Sequence, residues 1–431
     1  LVGLLMTMPI MAQHTISGTF EPAGDYTWLI IYRLKPGTQV YVADTAIKEG
    51  RFTLTLPENA EEGTYRVVYA IPQEEFYFDV LFNGKESIEL SFHGEKGLTF
   101  LTSPENQTFT SYFGNIHAVE QELIGYYTQG RTDTTQYMEI LKRLAQTQRD
   151  FERASEGMMA HTFIKANAPY IPEEYESVEK YVIQKKTHYF DSLTLNSKTL
   201  QASGFLTDKL TNYVFTALPI HPMAQEETEQ AMNQNVDTVV QKLSDAGIGY
   251  KGHVYYTLWS QAAASGFNDT SDYIYGSFLK KWAQETQNMQ IINQVETHNR
   301  LRIGATAPDI LWEGGSLAEL ESAGHYVVVF WSSTCPHCIS ELPKLQGELV
   351  HFPHVKVLAI GLEEEEDLEN WKRQKAKLTH FEHGMALGKW ESETAQTYVI
   401  QSTPSYFVLG PEKKILAKPG DYKALIKFLK E

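Results

Sequence analysis

Cysteine is almost missing from this chain: there are two in 431 residues, Cys335 and Cys338. That scarcity excludes a disulfide-stapled scaffold, which needs several bridges to stand in for a core. Positive charge is also short. The formal net charge is −17, so little here neutralises phosphates, which argues against a nucleic-acid partner and weakly against an anionic membrane surface. Beyond residue 13 no apolar run approaches the roughly 20 residues a membrane-spanning helix needs. There is no obvious internal repeat and no phosphate loop. What is present is ordinary for a folded protein: 42% hydrophobic and 21% charged residues. The length suits about two to four domains.

Residues 1–13, LVGLLMTMPIMAQ, are almost wholly apolar. They are too short to span a bilayer and read as the core of a secretory signal, with Ala12 at a small-residue cleavage position. The alternative is a buried first strand or helix. The signal reading predicts export to the periplasm, where thiols oxidise and disulfides persist. From 14 to 103, stretches such as TWLIIYRL, RFTLTLP and TYRVVYAI alternate with period two between turn signals, which predicts an all-β sandwich. From 104 to 300 the spacing turns helical. In YMEILKRLAQTQRDFERA, Met138, Leu141, Leu144 and Phe151 are expected to line one buried face, and Trp259 and Trp282 to be core.

Residues 301–431 alternate strand and helix, an α/β layer pattern. Ser316 and Glu319 have capping-box spacing, so a short helix is expected there. YVVVFW and VKVLAIGL are continuous apolar runs suited to buried parallel strands. CISELPKLQGELV reads as a helix kinked at Pro343. The acid run EEEEDLEN reads as a solvated helix face. PSYFVLG and KKILAK are expected to pair antiparallel, and YKALIKFLK closes with a helix.

The two cysteines stand in WSSTCPHC, where a buried strand ends and a helix begins. A sulfur on the first turn is favoured as thiolate by free backbone N–H groups and the helix dipole. Pro336 suits the first helical position. Cys338, one turn on, is within reach of Cys335 and can resolve a mixed disulfide. The thiolate is the nucleophile in such exchange, so this is the spacing of a reversible redox pair.

GATAPDI, VVVFWSSTCPHCISELPKL, VKVLAIGLEEEEDLENWKRQ and YVIQSTPSYFVLGPEKKIL, in that order, resemble a thioredoxin-fold domain of the TlpA/ResA type. Those are exported thiol–disulfide oxidoreductases. The resemblance covers roughly residues 300–431, and the β and helical regions upstream are similar to those of multidomain bacterial relatives. It implies an active-site motif of Trp331, Pro336 and His337 around catalytic Cys335 and Cys338. It implies that Pro404 is a cis-proline facing the dithiol, with Thr403 presenting backbone to a substrate segment. It implies that Glu341, three residues past Cys338, supplies an acid that manages the Cys338 proton. The plainer reading of Glu341 is an exposed helix residue. Plain thioredoxins carry a buried aspartate where this chain has Val329. The Pro-His pair between the cysteines is closer to DsbA-type oxidants, because a histidine that stabilises the Cys335 thiolate makes the disulfide more oxidising.

Two thiols can serve other ends. A zinc site would need His351/His354 or His380/His383, whose two-residue gaps are shorter than finger-type spacing. A static disulfide across so short a span adds little chain entropy. A peroxidase would need an upstream Pro and Thr at set distances, and Thr334 is directly adjacent. A binding module with a redox tether is a further alternative, as is an oxidase or isomerase. The expectation is a reductase of client-protein disulfides, with no metal and no cofactor beyond the Cys335–Cys338 disulfide, fed by a membrane electron donor.

Overall fold

The computed structural model describes residues 14–431; the apolar stretch read as a secretory signal lies outside them. The chain divides into two compact units, one ending at Thr286 and one spanning Gln287–Glu431.

The first unit opens with eight strands: β1 (Thr15–Glu21), β2 (Trp28–Lys35), β3 (Thr38–Ala46), β4 (Arg51–Thr55), β5 (Gly63–Val68), β6 (Tyr77–Phe82), β7 (Ile88–His93) and β8 (Gly97–Phe100). They form two four-stranded sheets, ordered β4-β1-β7-β8 and β3-β2-β5-β6. Alternate side chains of both sheets, among them Ile16, Phe20, Leu29, Ile31, Val67, Phe82 and Leu90, share one core, so the region is a sandwich. Helices follow from Pro104 to Glu285. The first, Pro104–Thr128, is joined to the sandwich through Asn106, whose side chain accepts from Leu81 N–H (2.8 Å) and donates to Leu81 C=O (2.7 Å). That pairing satisfies the backbone of Leu81 on the edge strand β6, which would otherwise be unpaired there. Glu105, also buried, accepts from the backbone N–H of Ala160 at 2.6 Å.

The buried stripe of helix Thr134–Ala154 runs through Tyr137, Ile140, Leu141, Leu144 and Gln148, not through Met138, which is 38% exposed. Tyr137 wins the inner position because its hydroxyl meets that of Tyr127. Trp259 is buried. Trp282 is half-buried: its indole donates to Ile248 C=O and lies where a Cβ on Gly252 would sit, 1.9 Å away. Only glycine fits that approach.

The second unit starts with helix Met289–Leu301, which the sequence pattern groups with the upstream helices. Leu301 is instead buried with Ile310, Tyr326 and Val328 of this unit. Two short strands, β9 (Leu311–Trp312) and β10 (Gly315–Ser316), pair next. The helix expected at Ser316 is absent. Ser316 Oγ does accept from Glu319 N–H, but Asp309 takes the Ala318 N–H and Ile310 C=O takes that of Leu317, so the segment is a turn.

The main sheet contains β11 (His325–Trp331), β12 (Val355–Glu363), β13 (Glu382–Leu387), β14 (Ser405–Leu409) and β15 (Ile415–Ala417), ordered β13-β12-β11-β14-β15. β11, β12 and β13 are parallel; β14 and β15 run antiparallel. Val328 and Phe330 enter the core on one face, and Val327, Val329 and Trp331 that on the other. Coverage on both faces is why the run is apolar without alternation. Helices Pro336–Leu349 and Tyr422–Lys430 pack on the second face, and Pro343 lies inside the former. This is a thioredoxin fold. The multidomain order, β sandwich, helices, then an α/β thioredoxin-like domain, is the one expected. The edge strand β13 was not.

Candidate active site

β11 ends at Trp331, which pairs with Gly361 of β12. A Cβ on Gly361 would lie 2.3 Å from the Trp371 indole nitrogen, so this close approach requires glycine. The chain then turns through Ser332–Thr334 and enters helix Pro336–Leu349, with Cys335 as its N-cap and exposed Pro336 at the first position. Cys335 Sγ accepts from Cys338 N–H at 3.3 Å and donates to the Thr403 carbonyl at 3.4 Å. The Thr403–Pro404 peptide bond is cis. Both cysteines are thiols; Cys335 is partly exposed and Cys338 is fully buried.

The two sulfurs are electrically unlike. Burial opposes ionisation of Cys335, but hydrogen bonds from the Cys338 thiol, the Thr403 side chain and the backbone of Cys338 and His337 outweigh it, and its pKa is held below the usual thiol value. Cys338 is pushed up to about 12 by burial first and by Cys335 second, against hydrogen bonds from the Ser332 backbone and Thr403. His337 is exposed, and it reaches the Cys335 sulfur through its backbone.

Glu341 is half-buried on the same helix. Its Oε1 accepts from the Tyr406 hydroxyl (3.0 Å) and from Tyr422 N–H (2.8 Å). Tyr406 stands on β14, two residues past Pro404 and opposite Val329. Burial raises its pKa, and so do the nearby Glu341 and Cys338.

The sequence pattern gave no sign of the other carboxyl group here. Glu363 opens the acid run read as a solvated face, yet it is the last residue of β12 and fully buried. It accepts from Ser333 N–H (2.6 Å) and Ser333 Oγ (3.0 Å), with Ser332 Oγ at 3.5 Å. Asn370 donates to the Ser333 carbonyl at 2.8 Å from the other side. The loop leading into Cys335 is thereby held at both polar groups of one peptide-bearing residue. Burial raises the Glu363 pKa, the Ser333 hydrogen bonds lower it, Asp367 raises it and Lys389 lowers it; burial prevails. The solvated-face reading fails at Glu363 alone, because the strand runs one residue further than the apolar pattern and turns it inward; Glu364, Glu365 and Glu366 are exposed as expected.

Chemically, the site offers an accessible nucleophile with a depressed pKa, a buried partner thiol, and a backbone carbonyl beside them. Among the described residues no cluster of His, Cys, Asp or Glu is arranged to hold a metal ion. His383 Nε2 lies 2.9 Å from the Leu378 carbonyl. Among the described residues no helix is long and apolar enough to cross a membrane.

No curated protein matches the chain. Among solved structures, a thioredoxin-like protein from Bacteroides caccae is 19% identical, covers 61% of this chain and 96% of its own, and has a TM-score of 0.31. The thioredoxin domain of a thiol-disulfide oxidoreductase from Bacteroides vulgatus is 24% identical over 30% of this chain and 96% of its own, with a TM-score of 0.27. A thiol-disulfide oxidoreductase from Bacteroides fragilis is 30% identical over 29% of this chain and 97% of its own, with a TM-score of 0.26. Residues 303–418 match the AhpC/TSA family, and the C-terminal unit carries an AhpC/TSA thioredoxin-fold domain.

Proposed function

We propose that the chain is an exported, periplasmic thiol–disulfide oxidoreductase that reduces disulfides of client proteins. The observation that carries thiol–disulfide exchange is the asymmetry of the two sulfurs, Cys335 partly exposed with a lowered pKa and Cys338 buried with a raised one; the reducing direction rests on the TlpA/ResA resemblance. The Cys335 thiolate attacks a client disulfide. A Cys335–client bond forms, the client bond breaks, and the leaving sulfur takes a proton. Cys338 then loses its proton and attacks Cys335. The intramolecular disulfide forms and the client leaves as a thiol, so two electrons have passed to it.

Deprotonating Cys338 is the harder step, because its thiol is buried. Glu341, acting with the Tyr406 hydroxyl that donates to it, is the acid–base pair assigned to that proton. Thr403 and Pro404 form the groove wall against which a client segment lies. Trp331, Pro336 and His337 complete the motif. No metal or cofactor is invoked; the dithiol carries the electrons, and a membrane donor restores it.

The test uses the full chain with a disulfide-bonded protein substrate and a recycling reductant. Cys335→Ser abolishes turnover, and Cys338→Ser accumulates the mixed disulfide. If Cys338→Ser traps nothing, the exchange reading is wrong. Direction is read from the dithiol potential in glutathione buffers. A reductase lies near thioredoxin's roughly −270 mV or below. The second reading, an oxidant, is favoured by the stabilised Cys335 thiolate, and predicts a value toward about −120 mV.

A further inference from the structure

The helical region contains a cavity of about 640 Å³ that the dithiol chemistry does not use. It lies between helix Val178–Thr187 and the turn after it at Phe190, Tyr213 of helix Gly204–Thr216, the loop through Ile220, and the end of helix Gln225–Lys242. The volume falls within the range of small-molecule sites. The lining is mostly apolar, and Ile183 and Ile220 stand 61% and 51% exposed on it. A ligand's apolar body would take that surface out of water.

Two ammonium groups share the lining. Lys186 Nζ is 5.8 Å from the Tyr213 ring centroid, and Lys242 Nζ is 5.6 Å from that of Phe190. Aromatic faces attract cations, so both heads are seated at the cavity wall. Among the described residues neither lysine forms an ion pair. Burial lowers the Lys186 pKa, which marks an ammonium that lacks a compensating anion. Of the carboxylates on the lining, Asp191 is engaged by His188 at 2.6 Å. Glu179 stands in the first turn of its helix and Lys186 in the last, about 10 Å apart along the axis. In a chain of net charge −17, two unpaired cations on one apolar cavity are a local exception.

We infer that this cavity binds an amphipathic organic anion, a carboxylate with an apolar body. The charge seats at Lys186 and Lys242, and the body lies against Ile183 and Ile220. The inference is independent of the redox reading.

Calorimetric titration of the full chain with decanoate, kept below its micellar concentration, tests it. Decanoate binds saturably, whereas acetate, lacking the body, and decyltrimethylammonium, with the opposite charge, do not. Lys186→Met with Lys242→Met weakens decanoate by roughly tenfold or more, while circular dichroism and thermal unfolding stay as in the parent. Ile220→Asp, which places a carboxylate on the wall, weakens it as well. Absence of saturable decanoate binding overturns the inference. So does equal binding of the decyl cation, or an unchanged affinity in the double variant.

Discussion

Glu363 is one of two side chains, with Asn370, that hold the loop entering Cys335. Removing its carboxyl leaves the Ser333 N–H, at a fully buried residue, without its acceptor. An orphaned buried donor costs about 1–3 kcal/mol. Glu363→Ala is therefore expected to lose that much stability. It is also expected to raise the pH midpoint of Cys335 alkylation, because the loop that sets Cys335 at the helix N-cap, where the Cys338 N–H donates to its sulfur, is loosened. Glu363→Gln keeps an oxygen for the Ser333 N–H and separates geometry from charge. The sign of the charge effect follows from the raised pKa of Glu363, which means the folded state prefers the neutral acid. That preference stabilises fully below the ordinary carboxyl value and is lost as pH rises through the folded pKa. The wild type should thus lose stability relative to Glu363→Gln between acid and neutral pH. Denaturation midpoints of both proteins at each pH check this; a gap that grows in the wild type's favour as pH rises refutes it. The placement of Cys335 and Cys338 at the start of a helix after a buried strand was readable from the sequence, because an apolar run ends just before them and Pro336 suits a first helical position. Glu363 was not, because four consecutive glutamates give no pattern to say where a strand stops.

Between elements, one side chain of the next helix pairs with the backbone of the edge strand β6 at Leu81. Asn106 is buried and satisfies both polar groups of the Leu81 backbone, itself buried. Asn106→Leu keeps the volume and removes the pairing, leaving a donor and an acceptor unmet, at a cost of about 2 kcal/mol or more. A urea titration should show a lowered midpoint with an unchanged slope. A midpoint equal to the parent's would mean the edge is satisfied some other way. Elements whose period is strong were legible: the alternating strands of the sandwich, and the buried β11 and β12. Those fixed by tertiary partners were not. The Ser316 turn is decided by Asp309 and Ile310, and the inner face of helix Thr134–Ala154 by the Tyr127–Tyr137 contact, neither of which is adjacent in sequence.

For the molecule as a whole, the open matter is where one compact unit gives way to the next. Helical periodicity runs unbroken toward Arg302, so a boundary at 300/301 is the natural reading of the pattern. Periodicity reports that a helix has an apolar face, not what that face touches. The structure divides the chain at Thr286 and buries Leu301 among Ile310, Leu317 and Tyr326, while Ile292 and Val295 of the same helix are also buried. A fragment beginning at Gln287 should therefore unfold in one cooperative transition. One beginning at Arg302 lacks Leu301, and deleting a buried leucine side chain costs roughly 2–5 kcal/mol through lost transfer energy and the cavity left behind. The shorter fragment should show a clearly lower denaturant midpoint, and Leu301→Ala in the longer one should account for much of the difference. Equal midpoints for the two fragments would assign helix Met289–Leu301 to the upstream helices after all.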